Sequence, residues 1–336
     1  MFVSRTPMRV SLFGGGTDYP SYFERKPGAV LGFSIQKYIN IAAIPLTDIQ
    51  EYQYRVSYSK LELCNHLSEI EHPVVREVLK HRNINIPLDI SVMSDLPSNG
   101  SGLGSSSAFT VGFLTIINAI TGTPCTKINL ARDATMVERE LLQENVGVQD
   151  QLHVSFGGVN RFDFFGNQMQ VTPISLDTDT NIQLNKSLLL VHTGIARRAT
   201  DILDQQLQKT RNKVLDKDLH SLKELVDEAT TILHSKRDNI LAELGRLLST
   251  GWEIKRTLSS DISSTEIDDL YQMLMNNGAY GAKLCGAGGG GFIVALVNPD
   301  RMDDLCEKLR GKAVTLPISI DNDGSKILLN QPTIIR

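Results

Sequence analysis

Pro97-Ser98-Asn99-Gly100-Ser101-Gly102-Leu103-Gly104-Ser105-Ser106-Ser107 stands between a strand-like segment ending in Asp95-Leu96-Pro97 and a long apolar helical run. Ala108, Val111, Phe113, Leu114, Ile117 and Ile120 fall near helical spacing, and Thr121-Gly122 closes the run. Glycines at 100, 102 and 104 let backbone N–H groups approach an anion closely. The helix that follows adds unpaired N–H groups and the positive end of its dipole. Hydroxyls of Ser105, Ser106 and Ser107 can hold Mg²⁺ or cap the helix. The bland alternative is a Gly/Ser turn with a capping serine, but the strand before and the helix after favour a seat for a nucleotide's polyphosphate. No Gly-Lys-Ser/Thr follows, so this is not a Walker loop.

Working outward, the first hundred residues read mainly as strands: Met8–Phe13, Val30–Ile35, Tyr38–Ile44, Tyr52–Tyr58 and Pro87–Met93. Pro73–His81 is a short helix among them. Ile128–Gln143 reads as a helix and Gly147–Phe156 as a short one, with strands at Val159–Phe165 and Gln168–Ile174. Ser187–His192 is a continuously apolar strand, helical patterns fill Thr200–Leu248 and Ser264–Asn276, and a strand–Gly loop–strand unit spans Gly281–Val297. A helix over Pro299–Leu309 and two short strands follow. At 336 residues the chain exceeds what one core usually supports. The polar stretch Ser175–Asn185 marks the expected boundary between two lobes, residues 1–178 and 179–336. Strands and helices alternate without a strict βαβ rhythm, which points to α+β rather than a doubly wound sheet.

Composition excludes several classes. Hydrophobic residues make up 41% and charged residues 21%, ordinary for a globular protein, and a formal net charge of −4 gives no pull toward nucleic acid or an anionic membrane. No apolar run approaches the ~20 residues needed to cross a bilayer, and Met1–Pro7 carries no signal-peptide pattern, so a cytoplasmic protein is expected. Cys64, Cys125, Cys285 and Cys306 form no C-x-x-C pair and read as reduced thiols.

Two further glycine clusters carry chemistry. In Arg5–Tyr19, a strand bearing Arg9 runs into Gly14-Gly15-Gly16-Thr17-Asp18; an aspartate after a tight glycine turn can accept hydrogen bonds from adjacent sugar hydroxyls. A hairpin turn with a capping Asp is the alternative. In Gly281–Gly291, Gly286-x-Gly288-x-x-Gly291 fits a dinucleotide fingerprint, but it opens a strand rather than a helix and falls late in the chain. A loop whose backbone closes over phosphates and substrate, with Gly288 and Gly289 at its centre, fits better. Glu138 and Asp150 lie twelve apart; phosphoryl transfer needs a metal-holding acid and a carboxylate that orients the nucleophile's proton. Arg197-Arg198, after the strand ending at His192, can pair with a substrate phosphate, or can be surface arginines opening a helix; Lys37 is a weaker candidate for the same task.

The three clusters occur in the order and spacing of the GHMP kinases, and the chain resembles that family over essentially its whole length. Pro97–Ser107 is similar to the family's second motif, Arg5–Tyr19 to the first and Gly281–Gly291 to the third. Arg9 and Asp18 stand nine apart, as in galactokinases, and Glu138, Gly147 and Asp150 reproduce the spacing of a Mg²⁺-associated Glu, a Gly and the catalytic Asp. Gly-Gly-Gly-Thr-Asp departs from the galactokinase Gly-Glu-His-Thr-Asp and resembles the heptose-7-phosphate kinases and the kinase domain of fucokinases. The resemblance implies a ribosomal-protein-S5-like N-terminal lobe, a ferredoxin-like C-terminal lobe, and ATP and Mg²⁺ as cofactors. It implies Asp150 as base assisted by Arg9, Ser106 and Glu138 on the metal, and Gly100, Gly102, Leu103, Gly104, Ser105, Ser106 and Ser107 on the nucleotide. Gly15, Gly16, Thr17, Asp18, Gly288, Gly289, Arg197 and Arg198 would meet a sugar phosphate. The implied product is heptose 1,7-bisphosphate, for a nucleotide-activated heptose of surface polysaccharide; a fucokinase-like activity and a non-catalytic sugar sensor are the rivals. Neither nucleic acid nor membrane is an expected partner, and a homodimer stays open.

Overall fold

A computed structural model of the chain describes residues 1–47, 49–97, 100–195, 199–235, 239–259 and 261–331. As the patterning implied, the architecture is α+β, with two sheets. The strands are β1 (Phe2–Phe13), β2 (Gly28–Pro45), β3 (Tyr54–Ser57), β4 (Leu61–Cys64), β5 (Leu88–Ser94), β6 (Val159–Phe165), β7 (Gln168–Pro173), β8 (Leu188–His192), β9 (Ala279–Leu284), β10 (Phe292–Val297), β11 (Val314–Pro317) and β12 (Lys326–Asn330). The eight-stranded sheet runs β12-β1-β2-β5-β3-β4, with β6 and β7 branching from β2. The four-stranded sheet, β11-β8-β10-β9, is wholly antiparallel.

Two segments that read as separate strands, Val30–Ile35 and Tyr38–Ile44, form the single strand β2. Its first half pairs with β6 and its second half with β5, while β1 pairs along both. The interruption in the sequence pattern is a register shift, where Pro7 faces Tyr38 and Met8 faces Ile35. Proline lacks the N–H that a regular ladder requires, and an irregularity accommodates it. Strand β12 comes from the end of the chain yet pairs antiparallel with β1, so the first sheet is completed from beyond the second.

The helices are α1 (Pro20–Phe23), α2 (Pro73–His81), α3 (Ser105–Thr121), α4 (Lys127–Met136), α5 (Gln149–Phe156), α6 (Thr178–Ser187), α7 (Ala199–Arg211), α8 (Asp216–His234), α9 (Ile240–Thr257), α10 (Thr265–Met275) and α11 (Met302–Leu309). Helix α3 is apolar on most sides and buried against β1, β2, α4 and α5. It ends where the sequence said, at Gly122, whose left-handed backbone (φ 66°) closes the helix. The helix expected over Ile128–Gln143 stops at Met136 and continues as one π turn, Val137–Leu141, which bears Glu138. The polar stretch taken as a boundary holds α6, capped by Asp177 through the N–H of Thr180. Helix α9 lies directly on β9: a side chain at Gly281 would sit 1.7 Å from the Gly245 carbonyl oxygen.

Candidate active site

Strand β1 delivers Arg9 into a cleft of about 310 Å³ lined by residues from Arg9 to Ala287. The strand also carries the backbone of the glycine-serine loop: Arg9 N–H donates to the Leu103 carbonyl at 3.0 Å. Arg9 is 4% exposed, and its guanidinium forms a two-pronged pair with Asp150, Nε to Oδ1 at 2.8 Å and Nη2 to Oδ2 at 2.7 Å. Its Nη1 donates to the Gly102 carbonyl at 2.6 Å. One side chain thus joins the sugar-motif strand, the phosphate loop and the first turn of α5. Burial works against the Arg9 charge, but the adjacent Asp150 outweighs it and the pKa rises. Gly104 is the N-cap of α3 at φ +71°, and a side chain there would press on Arg9 Cγ at 3.0 Å and Asp150 Oδ2 at 3.3 Å. The loop that presents the helix N-terminus is therefore seated against the charged pair.

Asp18 is the second carboxylate of the cleft. Its Oδ1 accepts from Gly16 N–H at 3.0 Å and from the Gln149 side-chain amide at 3.1 Å, and its Oδ2 from Gln149 N–H at 3.4 Å. Burial, then the nearby Asp150 charge, raises its pKa. Gln149 is the residue before Asp150, so Asp18 is held beside the Arg9–Asp150 pair by α5 itself. Gly147 leaves room for that carboxylate: a Cβ there would lie 1.9 Å from Asp18 Oδ2. The family's glycine three residues before the aspartate thus has a steric reason in this chain.

Glu138 stands behind the cleft wall, 1% exposed. Its Oε2 accepts from Ser107 Oγ at 3.0 Å and from Gln151 Nε2 at 2.5 Å. Its Oε1 has no hydrogen-bond partner among the described residues. Burial pushes the carboxyl up to about 7, against the pull of Gln151, Thr110 and Ser107. An orphaned buried carboxylate oxygen is the kind of group a hard cation satisfies, so the oxygen donors Glu138 and Ser106 fit Mg²⁺. Mg²⁺ commonly takes one or two protein ligands and the rest from phosphate and water.

The sequence-derived residues do not all face the cleft. Gly100, Gly102, Gly104, Ser105 and Ser106 line it, as do Gly15, Gly16, Asp18, Arg9 and Asp150. Leu103 is fully buried, the Ser107 hydroxyl faces Glu138, and Thr17 Oγ1 is spent on the Gly14 and Ala29 carbonyls. In the third loop Gly286 and Ala287 line the cleft. Gly288 and Gly289 instead pack against Ile262, whose carbonyl accepts from Gly289 N–H at 2.9 Å. Arg197 and Arg198 lie outside the described residues, and Lys37 does not line the cleft. Sequence reasoning missed four polar residues: Gln149 and Gln151, whose place beside Asp150 was a usable signal, Lys283, which lies inside the third glycine motif, and Lys255, which lies in no motif.

The third loop meets the phosphate loop backbone to backbone. Phe292 N–H donates to the Ser101 carbonyl at 3.2 Å, and a Cβ at Gly286 would lie 2.6 Å from Gly102 Cα. Only glycine allows these two loops to pack this closely.

Comparison with known proteins agrees with this geometry. Residues 63–158 match the GHMP kinases N terminal domain, and residues 236–314 the GHMP kinases C terminal domain. The chain is 30% identical over 322 residues to a D-glycero-alpha-D-manno-heptose 7-phosphate kinase of Campylobacter jejuni, covering 91% of this chain and 92% of that one. It is 28% identical to a galactokinase of Pyrococcus furiosus, covering 88% and 89%. Among solved structures, a D-glycero-D-manno-heptose 1-phosphate kinase of Bacteroides thetaiotaomicron superposes with a TM-score of 0.80 at 21% identity, over 99% of this chain and 100% of that one. Its likeness establishes the fold. A phosphate loop, a sugar-motif aspartate and an arginine-held aspartate share one cleft, in a chain that matches both halves of the family, and on that ground this protein belongs to the GHMP kinases and is a sugar kinase of that type.

Proposed function

We propose that this chain transfers the γ-phosphoryl group of ATP to the C1 hydroxyl of D-glycero-D-manno-heptose 7-phosphate, giving the 1,7-bisphosphate. The observation that carries the reading is the position of Asp150: Gly104 of the phosphate loop abuts it on one side, and Gln149 ties it to Asp18 on the other. A sugar gripped by Asp18 has its reacting hydroxyl near Asp150, and the phosphate loop presents the nucleotide to the same point. Arg9 occupies one lone pair on each Asp150 oxygen and leaves others to accept the hydroxyl proton. An anomeric hydroxyl is more acidic than an ordinary alcohol, so a carboxylate suffices. Mg²⁺ held by Ser106 and Glu138 would neutralise charge on the transferring group. Arg9 would add a fixed positive charge already paid for by the fold.

The heptose assignment is supported by the Gly-Gly-Gly-Thr-Asp form of the sugar loop and by the activity of the C. jejuni relative. In this reading the enzyme works in the cytoplasm, where it supplies a precursor of nucleotide-activated heptose for surface polysaccharide, and its lobes divide near residue 178. Turnover on a panel of heptose 7-phosphate, mannose, fucose and galactose tests it, with ³¹P NMR to locate the new phosphate. Heptose 7-phosphate should lead by at least ~10²-fold in kcat/KM, the discrimination that one or two lost charge-assisted contacts produce. Asp150→Asn should remove at least ~10²–10⁴-fold of the rate and leave nucleotide binding intact. A lead for free fucose or mannose, or phosphate found away from C1, overturns the assignment.

A further inference from the structure

Two lysines, Lys255 and Lys283, line the cleft. Lys255, half-buried on the last turn of α9, donates from Nζ to the carbonyls of Leu284 at 3.1 Å and Gly286 at 2.5 Å. Lys283, 8% exposed on β9, donates from Nζ to the Leu12 carbonyl at 2.8 Å. Among the described residues no carboxylate lies within 4.0 Å of either ammonium. The carboxylates that share the cleft are engaged elsewhere, Asp150 by Arg9 and Asp18 by Gly16 and Gln149.

We propose that Lys255 and Lys283 form a paired ammonium clamp that grips a phosphoryl group in this cleft. An ammonium has three N–H donors. Lys255 spends two on carbonyls and Lys283 one, which leaves three donors, as many as a terminal phosphoryl group has non-bridging oxygens. The carbonyls fix both side chains in place but carry no charge, so each cation retains most of the cost of leaving water. Burial lowers Lys255 to about 7, with Lys283 and Arg9 adding repulsion, and lowers Lys283 to about 8. A dianionic ligand between them offsets both penalties at once.

Two phosphoryl groups reach this cleft, the γ-phosphoryl of the nucleotide and, if the substrate is a sugar phosphate, the sugar's own. Lys255 touches the third glycine loop, which meets the phosphate loop, and that neighbourhood suits the nucleotide. Gln206 lines the same cleft and lies 2.9 Å from a Cβ at Gly16 of the sugar loop, and that side suits the sugar. The sugar form of the proposal rests on the heptose phosphate reading, and the nucleotide form does not.

Calorimetric titration of the full chain tests the clamp, with Lys255→Gln and Lys255→Arg beside the parent. The ligands are AMP-PNP against ADP, each with Mg²⁺, and heptose 7-phosphate against the unphosphorylated heptose. We expect Lys255→Gln to lose at least ~10-fold in affinity for one phosphoryl-bearing ligand, as for one charge-assisted hydrogen bond, and under ~2-fold for its counterpart lacking that group. Lys255→Arg should recover to within ~3-fold. A selective loss of AMP-PNP assigns the clamp to the nucleotide and a selective loss of heptose 7-phosphate assigns it to the sugar; the first can appear even where heptose 7-phosphate proves no ligand. Equal loss within both pairs, or none, overturns the clamp. If thermal melting shows Lys255→Gln unfolded, Lys283→Gln enters the same titrations under the same criteria.

Discussion

Replacing Gly147 by alanine adds one methyl group at a point where the fold leaves room for none. Its φ lies outside the left-handed region, so the backbone itself accepts alanine. The obstacle is Asp18: the new Cβ would be 1.9 Å from Oδ2 and 2.8 Å from Cγ. Oδ2 must retreat by about 1.5 Å to reach ordinary van der Waals separation. The Asp18 backbone cannot follow, because its carbonyl accepts from Val148 N–H at 3.2 Å, so the carboxylate must rotate. Rotation breaks the bonds from Gly16 and Gln149 and withdraws the group assigned to the sugar. Misplacement on the scale of 1 Å can cost ~10²-fold in rate, so kcat/KM for the sugar should fall by about that factor. KM for ATP should stay within ~2-fold. Overpacking should cost about 1–3 kcal/mol in urea unfolding, less the ~0.4–1 kcal/mol that alanine gains by restricting the unfolded chain. In an Asp18→Ala background the obstacle is gone, and Gly147→Ala should then stabilise by ~0.4–1 kcal/mol. Near-normal sugar kinetics in the single variant, or a penalty that persists without Asp18, would refute the reasoning.

Two other groups give sharp expectations. Glu138 is raised from its ordinary 4.5 to about 7 by burial, so ionising it destabilises the fold as pH climbs between those values. Metal-free parent should lose on the order of 3 kcal/mol relative to Glu138→Gln between pH 4.5 and 7.5, read by urea unfolding at each pH. The same variant, and Ser106→Ala, should need more Mg²⁺ for half-maximal activity; parallel pH curves and an unchanged Mg²⁺ requirement would remove the metal assignment. His153 is fully buried, neither ring nitrogen has a partner among the described residues, and burial followed by Arg9 repulsion holds it down to about 3. Its unfolded counterpart takes a proton near 6.5, so stability should drain as pH falls below that value, by up to ~1.4 kcal/mol per pH unit down to about 3. His153→Leu should flatten that slope, and an equal slope in parent and variant would show that His153 titrates normally.

What the sequence made legible was local: glycines before a helix, an arginine nine residues from an aspartate, a second aspartate after a glycine. Each is a short pattern whose chemistry travels with it, and the fold places Arg9, Asp18 and Asp150 in one cleft. The residues that escaped act only through distant partners. Lys255 is one charge in a mixed-charge helix until Gly286 and Leu284 fold against it, and Lys283, though inside the third glycine motif, has no visible task until the fold brings it to Leu12. The π turn bearing Glu138 follows from no propensity rule. The capping Asp177 of α6 was readable, but the polarity of its helix masked it. Gly288 and Gly289 carry the signature of the third loop, and a Cβ at Gly288 and the N–H of Gly289 both meet Ile262.

Strand β12 sets the order of events when the chain is made. Phe2 is synthesised 328 residues (330 − 2) ahead of its ladder partner Asn330. At about 5–20 residues per second the outer edge of β1 waits roughly 15–60 s for its neighbour. An open edge that long invites pairing with other nascent chains. Lys255, Lys283 and Gly286 also line the cleft, so its lining cannot be completed from the N-terminal half alone. Ribosome-bound chains halted before residue 326 should leave the outer edge of β1 open to proteolysis or to pairing, and chains extended past β12 should have it closed.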